Sequence, residues 1–430
     1  MPLRRIAVIA DSDTRWKWGA SVARQIAPEH ALDAVFPRTR ATPTERQLAE
    51  IGIEPDTRRD VTAAELVDDE ELAGADVVVM ATAGGTTLAL THSLGIAWRT
   101  RERRPVTVTG YVGVVYEKMV DGLLTRAGTD LVLANSAYDA DRFRAAFASV
   151  GVDPDAVVEC ALPFLGGDPY APSPDRPFTL TFAVQPSVPK GRESRLKVLE
   201  RAAAHARLHP DRLVLMKLRS LPGEHTTHAE ANPYQVLIEE LAEAAPPNLR
   251  LVYGNMGEVL DRTDLLVTVS STAALESMHR NIPTAILTDF GVREAHGNHY
   301  FVHSGCLASW DDLDAGALPR PEPGWAARQG IGKTDPYAAA RARLAALRAG
   351  GPLPPLLPYY SPQRAGVYLS GILERNGLDV RGRPLPVPLG GGGAGPLRAV
   401  VRRAARSGAK SLYRVGRERV APTLRRWGQA

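Results

Sequence analysis

Residues 263–287 have the sequence T-D-L-L-V-T-V-S-S-T-A-A-L-E-S-M-H-R-N-I-P-T-A-I-L. Leu265–Val269 is apolar apart from one threonine, which is typical of a parallel strand covered on both faces. A polar turn follows, a helix is predicted to begin there, and Thr284–Leu287 is a second apolar run. A strand, a turn, a helix and a strand in this order indicate one unit of a doubly wound parallel sheet.

The turn in this unit, Ser270, Ser271 and Thr272, is a candidate phosphate site. Its hydroxyls and the free backbone N–H groups of the next helix are expected at the carboxyl end of the strand, where open α/β sheets bind ligands. Unpaired N–H donors and the helix dipole attract anions there. The alternative is that Ser and Thr act only as helix N-caps.

The same alternation of strands and helical spacers extends along most of the chain. Further strands are predicted at Arg5–Ala10, Ala75–Ala81, Pro105–Gly110, Asp130–Ala134, Val157–Ala161, Phe178–Val184, Leu213–Leu218 and Leu249–Tyr253. The segment D-S-D-T-R-W-K-W after the first strand is predicted as a loop that enters a helix near Gly19.

The sequence therefore predicts an α/β protein with two Rossmann-like doubly wound domains that face a cleft. A chain of 430 residues is too long for one ordinary core and suggests two domains. The predicted divisions are a first domain at 1–168, a linker at 169–177, a second domain at 178–350, a helical region at 351–382 that crosses back, a Pro/Gly linker at 383–396 and a basic amphipathic tail at 397–430.

The charges are unevenly distributed. Residues 391–430 carry ten Lys or Arg and one Glu, which leaves 42 basic and 47 acidic residues in the rest of the chain. Nucleic-acid binding is therefore not expected of the folded part. The tail is predicted either to lie on an anionic membrane surface or to be solvated.

Composition limits the cellular setting. No apolar run approaches the roughly 20 residues that cross a bilayer, and the apolar part of the start, M-P-L-R-R-I-A-V-I-A-D, is too short for a signal peptide. We therefore expect a cytoplasmic protein, with the tail placing it at the inner face of the membrane as an open alternative. Cys160 and Cys306 have no spacing typical of a zinc site or a disulfide framework.

The order of motifs resembles the GT-B glycosyltransferases, whose two Rossmann-like domains close around a nucleotide-activated donor. The first half carries T-G-Y-V-G-V, D-L-V-L-A-N-S-A-Y-D and A-L-P-F-L, and the second carries V-L-M-K-L-R-S-L-P-G-E and G-N-M-G-E-V-L-D-R-T-D-L-L-V-T-V-S-S-T-A-A-L-E. More narrowly, the chain resembles the bacterial enzymes that make capsular and teichoic-acid-like polymers, including the polysialyltransferase-like and CDP-glycerol glycerophosphotransferase families. It is also similar to a set of uncharacterised actinobacterial glycosyltransferases.

This resemblance implies transfer of a sugar or sugar-like group from a nucleotide-activated donor to a cell-surface polysaccharide, glycoconjugate or lipid-linked acceptor. No cofactor is expected. Breaking the bond to the nucleotide leaves a phosphate whose growing charge must be stabilised. Lys217 and Arg219, at a strand end, are candidate cations for that phosphate, with a solvated strand end as the alternative. No D-x-D motif lies in a convincing metal-binding context: the D-S-D of Asp11 and Asp13 directly follows the first strand, a position that belongs to the acceptor side in GT-B enzymes, so a metal-free mechanism is predicted.

Other donor-side residues follow from the same resemblance. Glu276 is expected to hold a ribose, or else to lie on a solvated helix face. The turn Gly254, Asn255 and Met256 is expected to lie against the base, or else to be purely structural. Relatives with K-x-H-P at this point differ from this chain, which has K-L-R-S and keeps a His-Pro pair only at 209 and 210, where it is expected to end a helix.

On the acceptor side, an inverting transfer needs a general base. Asp13 and Asp11 are the first candidates, followed by Glu117 and His92. Further cleft residues are predicted where glycines let a backbone approach a ligand, or make tight turns, and at neighbouring strand ends: Gly84, Gly85, Gly110, Tyr111, Gly113, Asn135 and Ser136.

Two other functions remain open. A sugar-nucleotide 2-epimerase has the same two-lobed architecture. A non-catalytic nucleotide-sugar-binding or scaffolding subunit of a polysaccharide synthesis complex would keep the phosphate contacts without turnover. Only a measurement of turnover separates that subunit from an enzyme.

Overall fold

The computed structural model describes residues 5–38, 42–114, 119–186, 188–219, 221, 232–241 and 243–385. The predicted basic tail at 397–430 and most of the linker at 383–396 lie outside these ranges, as does the candidate base Glu117. Within the described residues, no helix is long and apolar enough to cross a membrane.

Seven parallel strands form the first sheet, and the part of the chain built on it is called the first lobe. They are β1 (Arg5–Ala10), β2 (Ala31–Pro37), β3 (Thr57–Val61), β4 (Val77–Ala81), β5 (Val106–Gly110), β6 (Leu131–Ala134) and β7 (Val157–Glu159). Their order in the sheet is β3-β2-β1-β4-β5-β6-β7. The order reverses beside β1, which is the arrangement of a doubly wound sheet.

Six parallel strands form the second sheet, on which the second lobe is built. They are β8 (Thr179–Ala183), β9 (Leu213–Lys217), β10 (Leu249–Val252), β11 (Leu265–Thr268), β12 (Thr284–Leu287) and β13 (Leu307–Ala308). Their order is β10-β9-β8-β11-β12-β13, so the reversal falls between β8 and β11. The predicted α/β class and the two doubly wound sheets are confirmed.

Helices connect the strands. They are α1 (Asp13–Ile26), α2 (Glu45–Ile51), α3 (Glu70–Ala73), α4 (Gly84–Ala97), α5 (Met119–Leu124), α6 (Ala137–Ser149), α7 (Arg192–Leu208), α8 (Tyr234–Leu237), α9 (Met256–Leu260), α10 (Ala273–His279), α11 (Trp310–Asp314), α12 (Pro323–Arg328), α13 (Ala338–Ala349) and α14 (Pro362–Arg375).

Each sheet is covered on both faces, as its apolar strands require. Along β1, Ile6 and Val8 pack into one apolar cluster, and Ala7 and Ile9 pack into another on the opposite face. This alternation follows from the two-residue period of a strand. The strands are therefore fixed in the middle of three layers, and their carboxyl ends are held in place for a site.

The loop predicted before Gly19 is wrong, because α1 already begins at Asp13. Ser12 precedes it with an extended backbone (φ −166°), and Asp13 occupies the first turn, where a negative charge favours the helix dipole. Trp16 and Trp18 are fully buried on this helix. A run of polar residues typical of a loop is here a helix start.

Two strands of the first sheet have no counterpart in the sequence predictions. In β2, the carboxylate of Asp33 accepts hydrogen bonds from Arg5 (2.6 Å) and from the hydroxyl of Thr57 (2.7 Å). In β3, the sequence T-R-R-D-V is largely polar because the strand lies at the edge of the sheet. Charged edge strands limit unwanted pairing with other chains, but they lack the apolar signal of a buried strand.

The last two helices return to the first lobe. Tyr337, Ala340 and Leu344 pack into the apolar cluster of β1, although the predicted division assigns residues up to 350 to the second domain. Leu369 and Leu373 of α14 pack against Leu88 of α4. The domain boundaries themselves remain a prediction.

Candidate functional site

A cavity of about 420 Å³ lies between the carboxyl ends of the two sheets. The first lobe lines it through α1, α2 and the segments after β5 and β7, and the second lobe through the segments after β8, β9, β10 and β11. Eleven of the predicted site residues line it: Asp13, Gly113, Lys217, Arg219, Gly254, Asn255, Met256, Ser270, Ser271, Thr272 and Glu276.

Asp13 and Arg219 meet across this cavity. The Arg219 Nη2 atom donates to both carboxylate oxygens of Asp13, at 3.0 and 3.1 Å, and it also contacts the Thr14 hydroxyl. Asp13 stands at the start of α1 and Arg219 follows β9, so the pair joins the two lobes. The predicted base and a predicted phosphate-binding cation therefore neutralise each other in this structure.

Lys17 and Glu276 make a second contact between the lobes. The Lys17 Nζ atom lies 3.5 Å from the Glu276 Oε2 atom and 4.5 Å from the centre of the Phe164 ring. Glu276 is only 7% exposed. Burial raises the pKa of this carboxyl, and the charge of Lys17 opposes the rise. Glu276 thus lines the cavity, with a cation from the other lobe beside it.

Lys217 is a buried ammonium group at the end of β9. Its Nζ atom donates to the Leu218 carbonyl at 2.7 Å. Burial lowers the pKa of Lys217 to about 8, while Glu50 acts in the opposite direction. Among the residues that the structure describes, that carbonyl is the hydrogen-bond partner of the ammonium, which has three N–H donors. Donors therefore remain for a ligand in the cavity.

The Ser-Ser-Thr turn differs from its prediction in one respect. The Ser270 amide donates to Gln185 Oε1 (2.9 Å), the Ser271 amide to Thr268 Oγ1 (3.2 Å), and the Ala273 amide to Ser271 Oγ (3.3 Å). The backbone N–H groups that were expected to be free for an anion are thus largely bonded within the protein. Helix α10 is also short, with seven residues.

The hydroxyls of this turn have two separate roles. Ser270 Oγ donates to the His296 carbonyl (2.5 Å) and accepts from Gln185 Nε2 (3.1 Å), so Ser270 is buried and supports the turn. Ser271 and Thr272 are half-buried and line the cavity. The side chains available to a ligand are therefore Ser271 and Thr272, with Ser270 and Gln185 holding them in place.

The turn before α9 has a clear structural role. Asn255 caps the helix, with Oδ1 accepting from the Gly257 amide (2.7 Å), and its Nδ2 donates to the Glu50 carbonyl (3.0 Å) of the first lobe. Gly254 has a φ of +99°, which favours glycine. Both residues also line the cavity, together with Met256.

Asp11 lies beside the cavity without lining it. Its carboxylate accepts from the Ala83 amide (3.0 Å) and from Arg15 (2.8 Å), so it fastens the end of β1 to the start of α4. Of the two aspartates, only Asp13 has the position of a base that could reach a ligand.

Ser136 caps α6, accepting from the Asp139 amide at 3.0 Å.

The remaining cleft predictions also lie away from the cavity wall, in packed surroundings. Asn135 Nδ2 donates to the Tyr111 carbonyl (2.5 Å) and the Gly113 carbonyl (3.2 Å). A Cβ atom on Gly110 would lie 2.7 Å from the Trp18 ring. Three further predicted residues also have close neighbours. Thr125 lies beside Gly84, Ile372 beside Gly85, and the Val380 carbonyl beside His92.

Fourteen residues of the cavity wall were missed by the sequence predictions, and four of them carry a charged, amide or aromatic side chain that the site uses: Lys17, Glu50, Phe164 and Gln185. Lys17 follows Asp13 by four residues, so both lie on one face of α1. That signal was hidden because the segment was predicted as a loop. The other three follow strands or lie on α2, which carries no motif of its own.

Asp13 in the cavity wall is paired with Arg219, and Asp11 beside the wall is paired with Arg15. Among the described residues, one group of side chains has metal-ligand geometry: His205, His209 and Asp314. It belongs to the second lobe and lies outside the residues that line the cavity.

A model of the family described as "Putative glycosyltransferase (DUF6716)" matches residues 6–347. No curated protein matches the chain. Similar solved structures include a "putative UDP-N-acetylglucosamine 2-epimerase from Listeria monocytogenes", with 13% identity, a TM-score of 0.50 and coverage of 81% of this chain and 96% of that chain. Another UDP-N-acetylglucosamine 2-epimerase has 12% identity, a TM-score of 0.50 and coverage of 81% and 97%.

The glycosyltransferase SnogD from Streptomyces nogalater is also similar, with 15% identity, a TM-score of 0.41 and coverage of 81% of this chain and 100% of that chain. At these identities, the likeness to solved structures concerns the fold alone. The two facing Rossmann-like lobes are of the GT-B type. Because the family match spans most of its length, the chain belongs to the family described as "Putative glycosyltransferase (DUF6716)".

Proposed function

We propose that this protein transfers a sugar or sugar-like group from a nucleotide-activated donor bound in the cavity. One observation carries the proposal: Lys217 and Arg219 of the second lobe and Asp13 of the first line one cavity of about 420 Å³, in which Arg219 is bonded to Asp13. Cations that bind a phosphate and a carboxylate that accepts a proton are the groups that glycosyl transfer needs.

The donor lies against the second lobe in this proposal. Lys217 and Arg219 bind its phosphates through charge-assisted hydrogen bonds, and the hydroxyls of Ser271 and Thr272 add neutral ones. Glu276 accepts hydrogen bonds from the ribose hydroxyls. The turn at residues 254–256 lies against the base.

The acceptor approaches from the first lobe. When the donor's phosphate takes over Arg219, the carboxylate of Asp13 loses its partner and is free to accept the proton of an attacking hydroxyl. A polysaccharide, glycoconjugate or lipid-linked acceptor at the inner face of the membrane agrees with the narrower resemblance to capsule and teichoic-acid transferases and with the basic tail. The class of acceptor and the location at the membrane both remain predictions.

Stabilisation of the leaving phosphate is proposed to need no metal ion. Lys17, Lys217 and Arg219 bring three cationic side chains into the cavity wall. Such fixed positive groups can take the place of a metal at a developing phosphate charge. Turnover in the presence of a chelator would support this part of the proposal, and loss of turnover restored by Mg²⁺ or Mn²⁺ would oppose it.

The test is turnover of the full-length protein with CMP-, CDP-, UDP-, GDP- and TDP-linked sugars, followed by ³¹P and ¹H NMR with and without oligosaccharide acceptors. Release of the nucleotide, lost in Asp13→Asn, supports transfer or its slow hydrolytic counterpart. A sugar inverted at C2 with the nucleotide still attached would identify an epimerase. Donor binding without any conversion would identify a non-catalytic subunit.

A further inference from the structure

A second cluster of polar side chains lies at the edge of the second sheet that faces away from the cavity. Helix α7 leaves the carboxyl end of β8 and runs back to the start of β9. Its last turn carries His205, and His209 follows one turn later as the C-cap residue. Asp314, the last residue of α11, meets them there.

The three side chains are in close contact. The His205 Nδ1 atom lies 2.7 Å from Asp314 Oδ1, and the centres of the two imidazole rings are 4.6 Å apart. One donor atom from each residue can be chosen so that all three lie within 4.8 Å of one another. His205 in the last turn of α7 and His209 just after its end are four residues apart, the spacing of a known helical metal-binding pair.

Both imidazoles keep an unused nitrogen. The Nε2 atoms of His205 and His209 are buried, and within the described part of the chain neither has a hydrogen-bond partner. Buried polar atoms in proteins are nearly always paired, so two such atoms side by side require an explanation. A bound cation provides a partner for His209 Nε2, because a neutral imidazole nitrogen is a strong metal ligand. His205 would bind the same ion through Nδ1, in place of its hydrogen bond to Asp314 Oδ1, since its two ring nitrogens point in different directions.

We propose that His205, His209 and Asp314 bind a divalent transition-metal ion of the zinc class, which ties the end of α7 to α11. Two imidazoles and one carboxylate, with water as a fourth ligand, suit Zn²⁺. The fully buried Trp310 packs 5.9 Å from the His205 ring and provides an apolar wall for the site.

Arg201, the arginine that contacts Asp314, has a second carboxylate partner at the site. Arg201 contacts Asp314 through the other carboxylate oxygen, at 3.1 Å, and holds Asp311 at 2.6 Å. Arg201 can therefore keep Asp311 as its partner when a metal takes Asp314.

The test uses Co²⁺ as a spectroscopic probe on the full-length protein after treatment with a chelator. We expect one equivalent of Co²⁺ to bind with visible d–d absorption, Zn²⁺ to displace it, and Zn²⁺ to raise the midpoint of thermal unfolding. In His209→Gln and Asp314→Asn the absorption and the thermal shift should be lost. Circular dichroism without metal shows whether these variants are folded.

His303→Asn is the matched control, because His303 is exposed and has a φ of +68°, which Asn tolerates. This variant should bind Co²⁺ like the wild type. Absence of binding in the wild type, unchanged binding in folded His209→Gln, or equal weakening in His303→Asn would overturn the proposal. Because the readout is a metal spectrum, the result does not depend on transferase activity.

Discussion

Lys217 shows how a single buried residue can link ligand binding to pH. Its pKa is lowered to about 8, so the free protein loses this proton as the pH rises through that value. A phosphate beside the ammonium favours the charged form and raises the pKa again. Donor binding should therefore weaken above pH 8, and near pH 8 it should take up a proton.

Proton uptake can be measured by isothermal titration calorimetry of nucleotide binding at pH 8.0 to 8.5 in buffers of different ionisation enthalpy. In Lys217→Met we expect no Lys217-linked uptake and roughly tenfold or greater weakening, since a hydrogen bond to a charged group contributes about 1.5–3 kcal/mol. The exposed Lys190 gives the control Lys190→Met, which should behave like the wild type. The same proton uptake in Lys217→Met as in the wild type would contradict the assignment of this proton to Lys217.

Asp13 and Asp11 stand two residues apart but should respond differently to substitution. In Asp13→Asn we expect turnover to fall by about 10²–10⁴-fold, the usual contribution of a general base. Its donor affinity should stay the same or rise, because Arg219 is released from its ion pair. Separate measurements of kcat and of the donor Kd check this.

Asp11→Asn is the companion variant. Because Asp11 holds the Ala83 amide and Arg15, we expect a lower unfolding midpoint and a smaller effect on kcat than in Asp13→Asn. A larger loss of kcat in folded Asp11→Asn than in Asp13→Asn would show that Asp11, and not Asp13, is the general base.

At the level of helices and strands, apolar runs were the most reliable guide. Leu265–Thr268 and Thr284–Leu287 are strands as predicted, because strands buried on both faces leave a continuous apolar signal. Edge strand β3 and the two-residue β13 lack that signal. The start of α1 was missed because Asp and Ser are typical both of loops and of helix N-termini.

The candidate site was only partly predictable for a related reason. The cavity contains the predicted Lys217, Arg219 and Ser271 because parallel strands bring their carboxyl ends to one edge. Lys17 and Gln185 were missed since their roles depend on tertiary contacts, with Glu276 and with Ser270. Hydrogen bonds that use up the amides of the serine turn have no signature in the sequence.

The position of α1 depends on close packing at Gly19. A Cβ atom there would lie 2.6 Å from the Val8 side chain and 2.8 Å from Ala81. In Gly19→Ala we expect a loss of about 1–3 kcal/mol in unfolding free energy, the usual cost of overpacking. Donor binding should also weaken, because α1 carries Asp13 and Lys17.

Gly371→Ala is the matched control, since Gly371 lies inside α14 with only an ordinary contact at 3.8 Å. Replacing a helix-interior glycine by alanine favours the helix by up to about 1 kcal/mol. Denaturant unfolding and a donor Kd for both variants check the pair. A Gly19→Ala protein as stable as Gly371→Ala would show that the contact of α1 with β1 and β4 is looser than described.

Across the whole molecule, polar contacts join the lobes around the cavity: Asp13 with Arg219, Lys17 with Glu276 and Asn255 with the Glu50 carbonyl. In Lys17→Met the raised-pKa carboxyl of Glu276 loses its cation, and the charged form becomes more costly. The sign follows from linkage. A carboxyl whose pKa is higher in the folded than in the unfolded protein costs nothing while it is protonated, and it destabilises the fold as the pH rises and the buried group must ionise.

We therefore expect the unfolding midpoint of Lys17→Met to fall below that of the wild type, with a larger deficit at pH 8 than at pH 5. The exposed Lys197 gives the control Lys197→Met, which should show little change at either pH. A deficit that is equal at both pH values would mean that Glu276 does not depend on Lys17 for its charge.

The central claim is that the cavity between the lobes binds a nucleotide-activated donor. The most direct measurement is a thermal-shift screen of the full-length protein against CMP-, CDP-, UDP-, GDP- and TDP-linked sugars and the free nucleotides, repeated with Ser271→Ala and Lys217→Met. Because a ligand that binds the native state raises the unfolding midpoint, we predict a rise for one nucleotide class that both variants reduce. No shift with any nucleotide, or the same shift in both variants, would contradict the account.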